Sequence, residues 1–173
     1  MKSISAELGL NIFVLKPDFV MRQLEEIIKG ILETHGFSII SQRTKTLSDK
    51  EVCFLYEWEF NRDFPLGASD VFAQPHIDYM TSGPSIALLV SHHHVKGKEL
   101  FQLSRELRGD HFLPRECKPG SMRYDLRDQV YDTQTYLRRD GFFLEPVPKN
   151  GIHCALNDEE MRRCELLFFS EHD

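Results

Sequence analysis

The segment Asn150-Gly151-Ile152-His153-Cys154 carries the residue types best suited to chemistry in this chain of 173 residues. It places an imidazole after a short turn, beside an apolar neighbour and three residues after a carboxamide. A neutral histidine accepts a phosphoryl group well near pH 7, because its ordinary pKa of about 6.5 leaves it largely unprotonated there. The chain has eight histidines, and a structural or surface role is the alternative for any single one. The segment therefore predicts a nucleophile only together with suitable residues elsewhere.

The charge balance limits the kind of partner. Twenty-one Lys and Arg residues against 27 Asp and Glu residues give a formal net charge of -6. This balance argues against a nucleic-acid binder or a protein that binds anionic membranes through a broad basic face. Any bound anion must be held by a local cluster of cations. The length and the 41% hydrophobic content predict one domain over residues 1–173.

The cysteines and the N-terminus indicate the compartment. Cys53, Cys117, Cys154 and Cys164 form no CxxC pair, which favours reduced thiols in an intracellular protein. The N-terminus has no apolar core of signal-peptide length, and 18 apolar residues never occur in a row. We therefore expect a cytoplasmic protein without a membrane partner.

Short apolar strands alternate with amphipathic helices along the chain. A strand predicted from Asn11 to Leu15 ends at Pro17, which lacks the N–H needed for strand pairing and keeps Lys16 extended or in a turn. Lys16 then either points into a cleft at the sheet edge or is a solvated strand terminus. The other predicted elements are a helix over 21–35, a strand over 37–46, a helix capped by Ser48 and Glu51, a helix over 70–79, a central strand over 85–90, a helix over 99–108, and a brief helix after Asn157 followed by an apolar strand or helix end over 164–169.

The helix predicted over 99–108 has a basic side. Leu100, Leu103 and Leu107 recur on one face, with Arg105 and Arg108 close to the other. Gly109 is expected to end this helix. The turn over 117–123 then carries a lysine and an arginine into a loop, where functional residues are often found.

Two further segments are predicted as loops. His92 to His94 suggest a metal site, but consecutive side chains point in different directions and do not converge on one ion. We interpret them as a surface loop. Residues 127–149 mix polar and aromatic residues. They are predicted to form a long loop or a short excursion of the chain away from the main fold.

Four separated motifs occur in a characteristic order. They are Lys16-Pro17-Asp18, Ser82-Gly83-Pro84, the segment Lys118 to Arg123, and Asn150 to His153. In these motifs, and over about residues 11–169, the chain resembles the nucleoside diphosphate kinases, as a divergent member of that family. The resemblance implies an α/β (α+β) ferredoxin-like fold, in which a four-stranded antiparallel sheet is flanked by helices. It also implies ping-pong transfer of the terminal phosphate from ATP and other nucleoside triphosphates to nucleoside diphosphates, through a phosphohistidine at His153.

The resemblance assigns four residues to the sugar and the phosphates. Lys16 and Asn150 are expected to contact ribose hydroxyls and phosphates, while Arg105 and Arg123 are expected to hold the terminal phosphates. Phosphoryl transfer is catalysed mainly by positioning and by cations aimed at the charge of the transferred group. Arginine suits this role because its planar guanidinium binds two phosphate oxygens at once.

The resemblance also implies a base pocket and a metal. Phe72 lies where the family stacks an aromatic ring on the base, and Val147 is expected on the opposite side. Tyr56 matches another nucleotide-binding position. Stacking accepts every base, since each has a π-face. Mg²⁺ is expected to arrive with the nucleotide phosphates, without protein side-chain ligands.

Three positions depart from the family pattern. Cys154-Ala155 follow the histidine, where the family has Gly-Ser. His111 stands where the family has a threonine that donates to a phosphate. The family's histidine-orienting glutamate is matched by Glu165 only after a shift of one residue. We therefore expect a slower enzyme.

Two insertions relative to the family fall near residues 61–71 and 127–148. The second lies in the region that family members use to cover the nucleotide and to pack subunits, so a homodimer is a safer expectation than the usual hexamer. Two other functions remain open. One is a nucleotide-binding or interaction module that has lost turnover; the other is an RNA-binding ferredoxin-like domain, which the acidic balance and the lack of an aromatic ribonucleoprotein motif disfavour.

Overall fold

The computed structural model describes residues 5–57, 69–111, 114–127, 138–139, 142–143 and 150–170. The strands are β1 (Leu10–Leu15), β2 (Phe37–Lys45), β3 (Ser85–His92), β4 (Arg138–Arg139), β5 (Phe142–Phe143) and β6 (Ile152–Cys154). The α-helices are α1 (Pro17–Met21), α2 (Glu25–Thr34), α3 (Asp49–Leu55), α4 (Ser69–Thr81), α5 (Gly97–Arg108), α6 (Met122–Asp125) and α7 (Asp158–Phe168). Short 3-10 turns span Ala6–Leu8 and Pro114–Glu116.

The main sheet has four strands in the order β2-β3-β1-β6, and each neighbouring pair is antiparallel. β1 is therefore an inner strand, and β6 is an edge strand that places His153 opposite Val14. Helices follow β1 and β3 and return the chain to the sheet. This is the ferredoxin-like arrangement, so the predicted fold class is confirmed.

The two faces of the sheet are covered by two separate cores. Phe13 and Leu15 of β1 pack in a core with residues of α2 and α5, whereas Ile12 and Val14 pack in another with residues of α3, α4 and α7. Alternation along a strand explains the division, because successive side chains point to opposite faces. Ile152 belongs to the first core, so His153 points to the face covered by α3, α4 and α7.

The region after β1 differs from the sequence prediction. Pro17 begins α1 at the first helical position, where its fixed φ is favourable and its missing N–H is not needed. Gln23, with φ 57°, lies between this helix and α2. The helix predicted over 21–35 is therefore wrong at its start, because Met21 ends one helix and Glu25 begins the next.

The C-terminal helix is longer than predicted. A single helix runs from Asp158 to Phe168, where the sequence suggested a brief helix followed by a strand or helix end. Cys164, Leu167 and Phe168 are all buried in the second core. Their spacing of three and four residues places them on one helical face, so the apolar run is amphipathic in the helical period.

The predicted loops have different outcomes. In the run of histidines, His92 ends β3, and its Nδ1 accepts from the backbone N–H of Val95 at 2.9 Å. This contact stabilises the turn after the strand. β4 and β5 pair as a small hairpin inside the predicted loop 127–149. The rest of that loop from 128 onward, and residues 61–68 of the insertion expected near 61–71, lie outside the described residues.

Among the helices that the structure describes, none combines the length and the apolar character required to cross a bilayer.

Candidate nucleotide-binding and phosphotransfer site

His153 is presented by a backbone turn that only glycine fits. Gly151 precedes it with φ 68°, and a Cβ at this position would lie 1.7 Å from the ring of Phe19. The ring of Phe19 on α1 therefore packs directly against the turn. His153 itself is only 4% exposed.

Three of the sequence-predicted residues meet beside this turn. The backbone N–H of Lys16 donates to the carbonyl of Gly151 at 2.8 Å, and its Nζ donates to Oδ1 of Asn150 at 2.7 Å. The same ammonium lies 5.4 Å from the ring centroid of Tyr56. Lys16 is thus held at the end of β1 and points into the site, as the first of the two sequence alternatives proposed.

Aromatic rings form one wall of the site. The rings of Tyr56 and His153 meet edge to face, with centroids 5.4 Å apart. Tyr56 follows α3 as its C-terminal cap and is buried. His76 of α4 also packs against the ring of Tyr56, with ring centroids 4.5 Å apart. Sequence reasoning missed His76, because nothing in a helix of mixed polarity marks which residue turns toward the sheet.

The electrostatics of the site keep the imidazole of His153 neutral. Burial holds the pKa of His153 well below its ordinary value of 6.5. The positive charges of Arg108, Lys16 and Arg123 lower that pKa further, in this order of effect. Burial also holds the pKa of His76 well below 6.5. Both rings are therefore uncharged near pH 7.

A buried carboxylate faces the nucleophile candidate. Oε2 of Glu160 lies 3.9 Å from Nε2 of His153, and two hydrogen bonds fix this carboxylate. Nδ2 of Asn157 donates to Oε1 at 2.8 Å, and the backbone N–H of Leu156 donates to Oε2 at 3.1 Å. Burial raises the pKa of Glu160. Glu165, the residue suggested from the sequence, lies five positions further along α7, almost one and a half helical turns away.

The signal for Glu160 was present in the sequence. Asn157 caps α7 by accepting from the backbone N–H of Glu160 at 2.9 Å, while Glu160 returns its carboxylate to the cap residue. This differs from a capping box, in which the carboxylate accepts from the backbone N–H of the cap residue, because Glu160 accepts from the side chain of Asn157 and from the backbone of Leu156. The brief helix predicted after Asn157 already placed Glu160 in its first turn, near the strand that carries His153.

The three arginines near the site have different environments. Arg123 is buried and donates to the carbonyls of His111 and Ile152, each at 2.8 Å. Arg105 is exposed and helps to line an open cavity of about 180 Å³ together with Lys98, Phe101, Gln102 and Leu156. Arg108, expected near the polar face of its helix, is instead buried at the end of α5.

The comparisons with known proteins identify the family. The family model described as nucleoside diphosphate kinase matches residues 11–173. The chain belongs to the nucleoside diphosphate kinase family. The predicted resemblance and the predicted enzyme class, a nucleoside diphosphate kinase, are therefore confirmed.

The relatives of this chain within the nucleoside diphosphate kinase family differ from it at most positions. The chain is 27% identical over 160 residues to the enzyme of Ehrlichia canis, with 92% of each chain covered. It is 28% identical over 160 residues to that of Archaeoglobus fulgidus, with 92% of this chain and 85% of the relative covered.

Solved nucleoside diphosphate kinases share the fold. An NDP kinase from Pyrobaculum aerophilum superposes with a TM-score of 0.67 at 20% identity, over 94% of this chain and 96% of that chain. The enzyme from Borrelia burgdorferi, solved with vanadate and ADP, gives a TM-score of 0.71 at 22% identity, over 96% of this chain and 90% of that chain.

Three nucleotide-binding residues predicted from the kinase resemblance are not placed in the site by the structure. Phe72 belongs to α4, but its side chain lies outside the described part, as does the whole of Val147. His111 is exposed, and its carbonyl accepts from Arg123 at 2.8 Å and from the Cys117 thiol at 3.2 Å. The stacking role of Phe72 and Val147 and the phosphate role of His111 stay predictions.

A further contact ties the kinase site to α1 and α4. The hydroxyl of Tyr79 donates to Oδ1 of Asp18, and the backbone N–H of Gly151 donates to the Tyr79 oxygen at 3.3 Å. Burial raises the pKa of Asp18. Asp18 was quoted only as part of a motif, but the structure gives it a distinct role in anchoring the turn before His153.

Proposed function

We propose that this protein transfers the terminal phosphate of a nucleoside triphosphate to a nucleoside diphosphate by a ping-pong mechanism, with a phosphohistidine at His153. The observation that carries the proposal is a neutral, buried imidazole whose Nε2 faces the carboxylate of Glu160. Positive charges act on the same ring. A nucleophile, its orienting group and cations for the phosphates are thus combined in one place.

The carboxylate selects the reactive nitrogen. In a neutral imidazole one nitrogen carries the proton and the other keeps a lone pair. Nε2 makes no hydrogen bond among the described residues, and Oε2 of Glu160 at 3.9 Å is the acceptor that faces it. On this ground we assign the proton to Nε2, which leaves Nδ1 as the nucleophile. When Nδ1 bonds to the γ-phosphorus, the bond from that phosphorus to the bridging oxygen breaks and the nucleoside diphosphate leaves. Glu160 then balances the positive charge that develops on the ring.

Lys16 and Asn150 are proposed to receive the nucleotide together. Their hydrogen bond of 2.7 Å holds the ammonium beside Tyr56 and the turn before His153. An ammonium at this point neutralises phosphate charge where the transfer occurs. The second half-reaction returns the phosphoryl group from Nδ1 to another nucleoside diphosphate through the same contacts.

A divalent cation fits this site as part of the substrate. No group of three or more metal-binding side chains occurs among the residues described, so the ligands we propose for Mg²⁺ are nucleotide phosphate oxygens. The ion would neutralise phosphate charge when bound. Base stacking by Phe72 and Val147, a homodimer and a cytoplasmic location complete the proposal.

Labelling tests the proposal directly. Incubation with γ-labelled ATP and Mg²⁺ should give an acid-labile, alkali-stable phosphoprotein, because a phosphohistidine has this stability pattern. His153→Ala should abolish the label. His93→Gln serves as the control, since His93 is an exposed histidine of the turn after β3 and should leave labelling unchanged. Persistence of the label in His153→Ala would rule out this residue as the acceptor.

The second candidate is a nucleotide-binding module without useful turnover. It is motivated by Cys154 and Ala155, which stand where the family has Gly-Ser and are both fully buried. ADP binding measured by calorimetry, with no exchange of phosphate between nucleotides, would favour this function over the kinase.

A further inference from the structure

Two buried guanidinium groups meet at the backbone carbonyl of Gly109, and one of them also contacts β6. Nε of Arg108 donates to the carbonyl of Gly109 at 3.1 Å, and Nη1 of Arg123 donates to the same oxygen at 3.4 Å. Their exposed fractions are 7% and 5%. Arg123 also donates to Ile152 at 2.8 Å, the residue before His153, so the pair of cations lies against β6.

Arg108 has no carboxylate partner at ion-pair distance among the described residues. Its hydrogen bond to Gly109 uses Nε, and its charge acts on the pKa values of His153 and Glu160 from a longer range. A buried charge without a close counter-ion is costly. The C-terminus of α5, where Arg108 is the last residue, offsets only part of this cost through the helix dipole. An anionic ligand would supply the missing counter-charge.

The other two arginines are less suited to meet the transferred group. Arg123 uses both Nη atoms on backbone carbonyls. Arg105 is exposed and lines the open cavity described above. Arg108 combines burial next to the site with a guanidinium whose Nη atoms make no hydrogen bond within the described chain.

We propose that Arg108 is a phosphate-binding residue of this protein, which donates through its Nη atoms to the transferred phosphoryl group. The inference deepens the proposed function and rests on it. The planar guanidinium binds two oxygens of one phosphate, so Arg108 stabilises both the bound triphosphate and the phosphorylated enzyme. Arg123 then holds the backbone of residues 109–111 and 152 in the shape that this contact needs.

The test uses a ligand that carries a γ-phosphate but does not transfer it. Calorimetry with Mg²⁺ and the β,γ-imido analogue of ATP should show binding to Arg108→Met weakened about 10- to 100-fold, the range for one or two lost charge-assisted hydrogen bonds. ADP binding should change less than about threefold, because ADP lacks the group that Arg108 contacts. Arg162→Met is the control, since Arg162 is exposed on α7, and it should bind both ligands as the wild type does.

Thermal unfolding separates this role from a structural one. Without nucleotide, Arg108→Met should melt at or above the wild-type temperature, because removal of a buried charge relieves its desolvation cost. A lower melting temperature together with equal losses for the analogue and ADP would mean a structural role and overturn the inference. Analogue binding equal to that of Arg162→Met would also overturn it.

A second variant covers the case in which Arg108→Met does not fold. Arg108→Lys keeps the charge and loses the planar fork, so the analogue should bind at least about threefold more weakly than to wild type. Unchanged binding would refute the contact. These binding results do not depend on turnover, so failure of wild-type labelling would count against the proposed reaction and not against Arg108.

Discussion

Glu160 places a fixed carboxylate 3.9 Å from the imidazole of His153. Its carboxylate is fixed by the side chain of Asn157 and the backbone of Leu156, and it approaches Nε2 of His153 from α7. A carboxylate that orients a histidine and stabilises its positive form is a recurrent device in nucleophilic catalysis. The position of the acid within the helix therefore matters more than its distance from the histidine along the sequence.

Replacement of this carboxylate by an amide should slow the chemical step. Glu160→Gln keeps the size of the side chain but removes the charge that balances the ring, so we expect the rate of phosphohistidine formation to fall about 10-fold or more, which corresponds to at least 1.4 kcal/mol. Rapid-quench labelling with γ-labelled ATP measures this rate.

Glu165→Gln is the informative comparison for Glu160→Gln. We expect it to retain a rate close to that of the wild type, because its side chain begins more than one helical turn beyond Glu160. A large loss in Glu165→Gln with none in Glu160→Gln would instead restore the assignment made from the sequence.

At the scale of elements, the turn before β6 depends on its packing against α1. A methyl group at Gly151 would overlap the ring of Phe19, and the φ of 68° disfavours any other residue. The turn and the short helix after β1 therefore pack as one unit, and both position His153.

Gly151→Ala should destabilise the protein by about 2–4 kcal/mol, from overpacking and the positive φ together. Urea unfolding measures the change. Gly120→Ala is the matched control, because Gly120 also has a positive φ of 87° but nothing lies within 4 Å of its would-be Cβ. It should cost about 1 kcal/mol. Equal effects of the two substitutions would show that the contact with Phe19 does not restrict the turn.

Local signals in the sequence predicted the elements with strong periodicity or caps. The apolar run over 85–90 became β3, and Ser48 with Glu51 began α3, where the Ser48 N–H donates to Glu51 at 2.9 Å. α1 was missed because a helix of five residues beginning at Pro17 is too short to show a period. Proline there fits both a strand end and a first helical turn.

The site was less accessible to sequence reasoning than the elements. Lys16, Tyr56 and Asn150 were proposed from the family resemblance, and the structure brings them together beside His153. Their binding roles remain predictions. Arg108 and His76 were not proposed, because their burial depends on how α5 and α4 pack against the sheet, and helical periodicity alone does not determine that packing.

For the whole molecule, the buried ionisable groups couple stability to pH. In the unfolded chain a histidine gains its proton near pH 6.5, whereas burial keeps the pKa of His153 and His76 well below that value in the folded protein. The unfolded state therefore takes up protons first as the pH falls. Above pH 6.5 these histidines contribute their full stability, and below it that contribution is progressively lost.

We therefore expect the free energy of unfolding to fall below pH 6.5, by up to about 1.4 kcal/mol per pH unit for each such histidine. Asp18 and Glu160 act in the opposite direction, because burial raises their pKa values. Comparison of wild type with His153→Gln by urea unfolding at about pH 7 and about pH 5.5 isolates one group. On acidification the free energy of unfolding of the wild type should fall relative to that of His153→Gln. A difference in this free energy that stays constant would contradict the low pKa of His153.

The contact between Lys16 and Asn150 affects how a ligand first meets this molecule. The ammonium is buried, and a carboxamide oxygen already occupies a hydrogen-bonding position around it. An ammonium has three N–H donors, and one of them donates to Asn150, so a phosphate bound as proposed would meet an ammonium whose position is already set. Without a ligand, the side chain of Lys16 is therefore almost fully shielded from solvent. Because this ammonium is held away from bulk solvent, added salt should screen its attraction for a bound phosphate less than it would screen that of an exposed lysine.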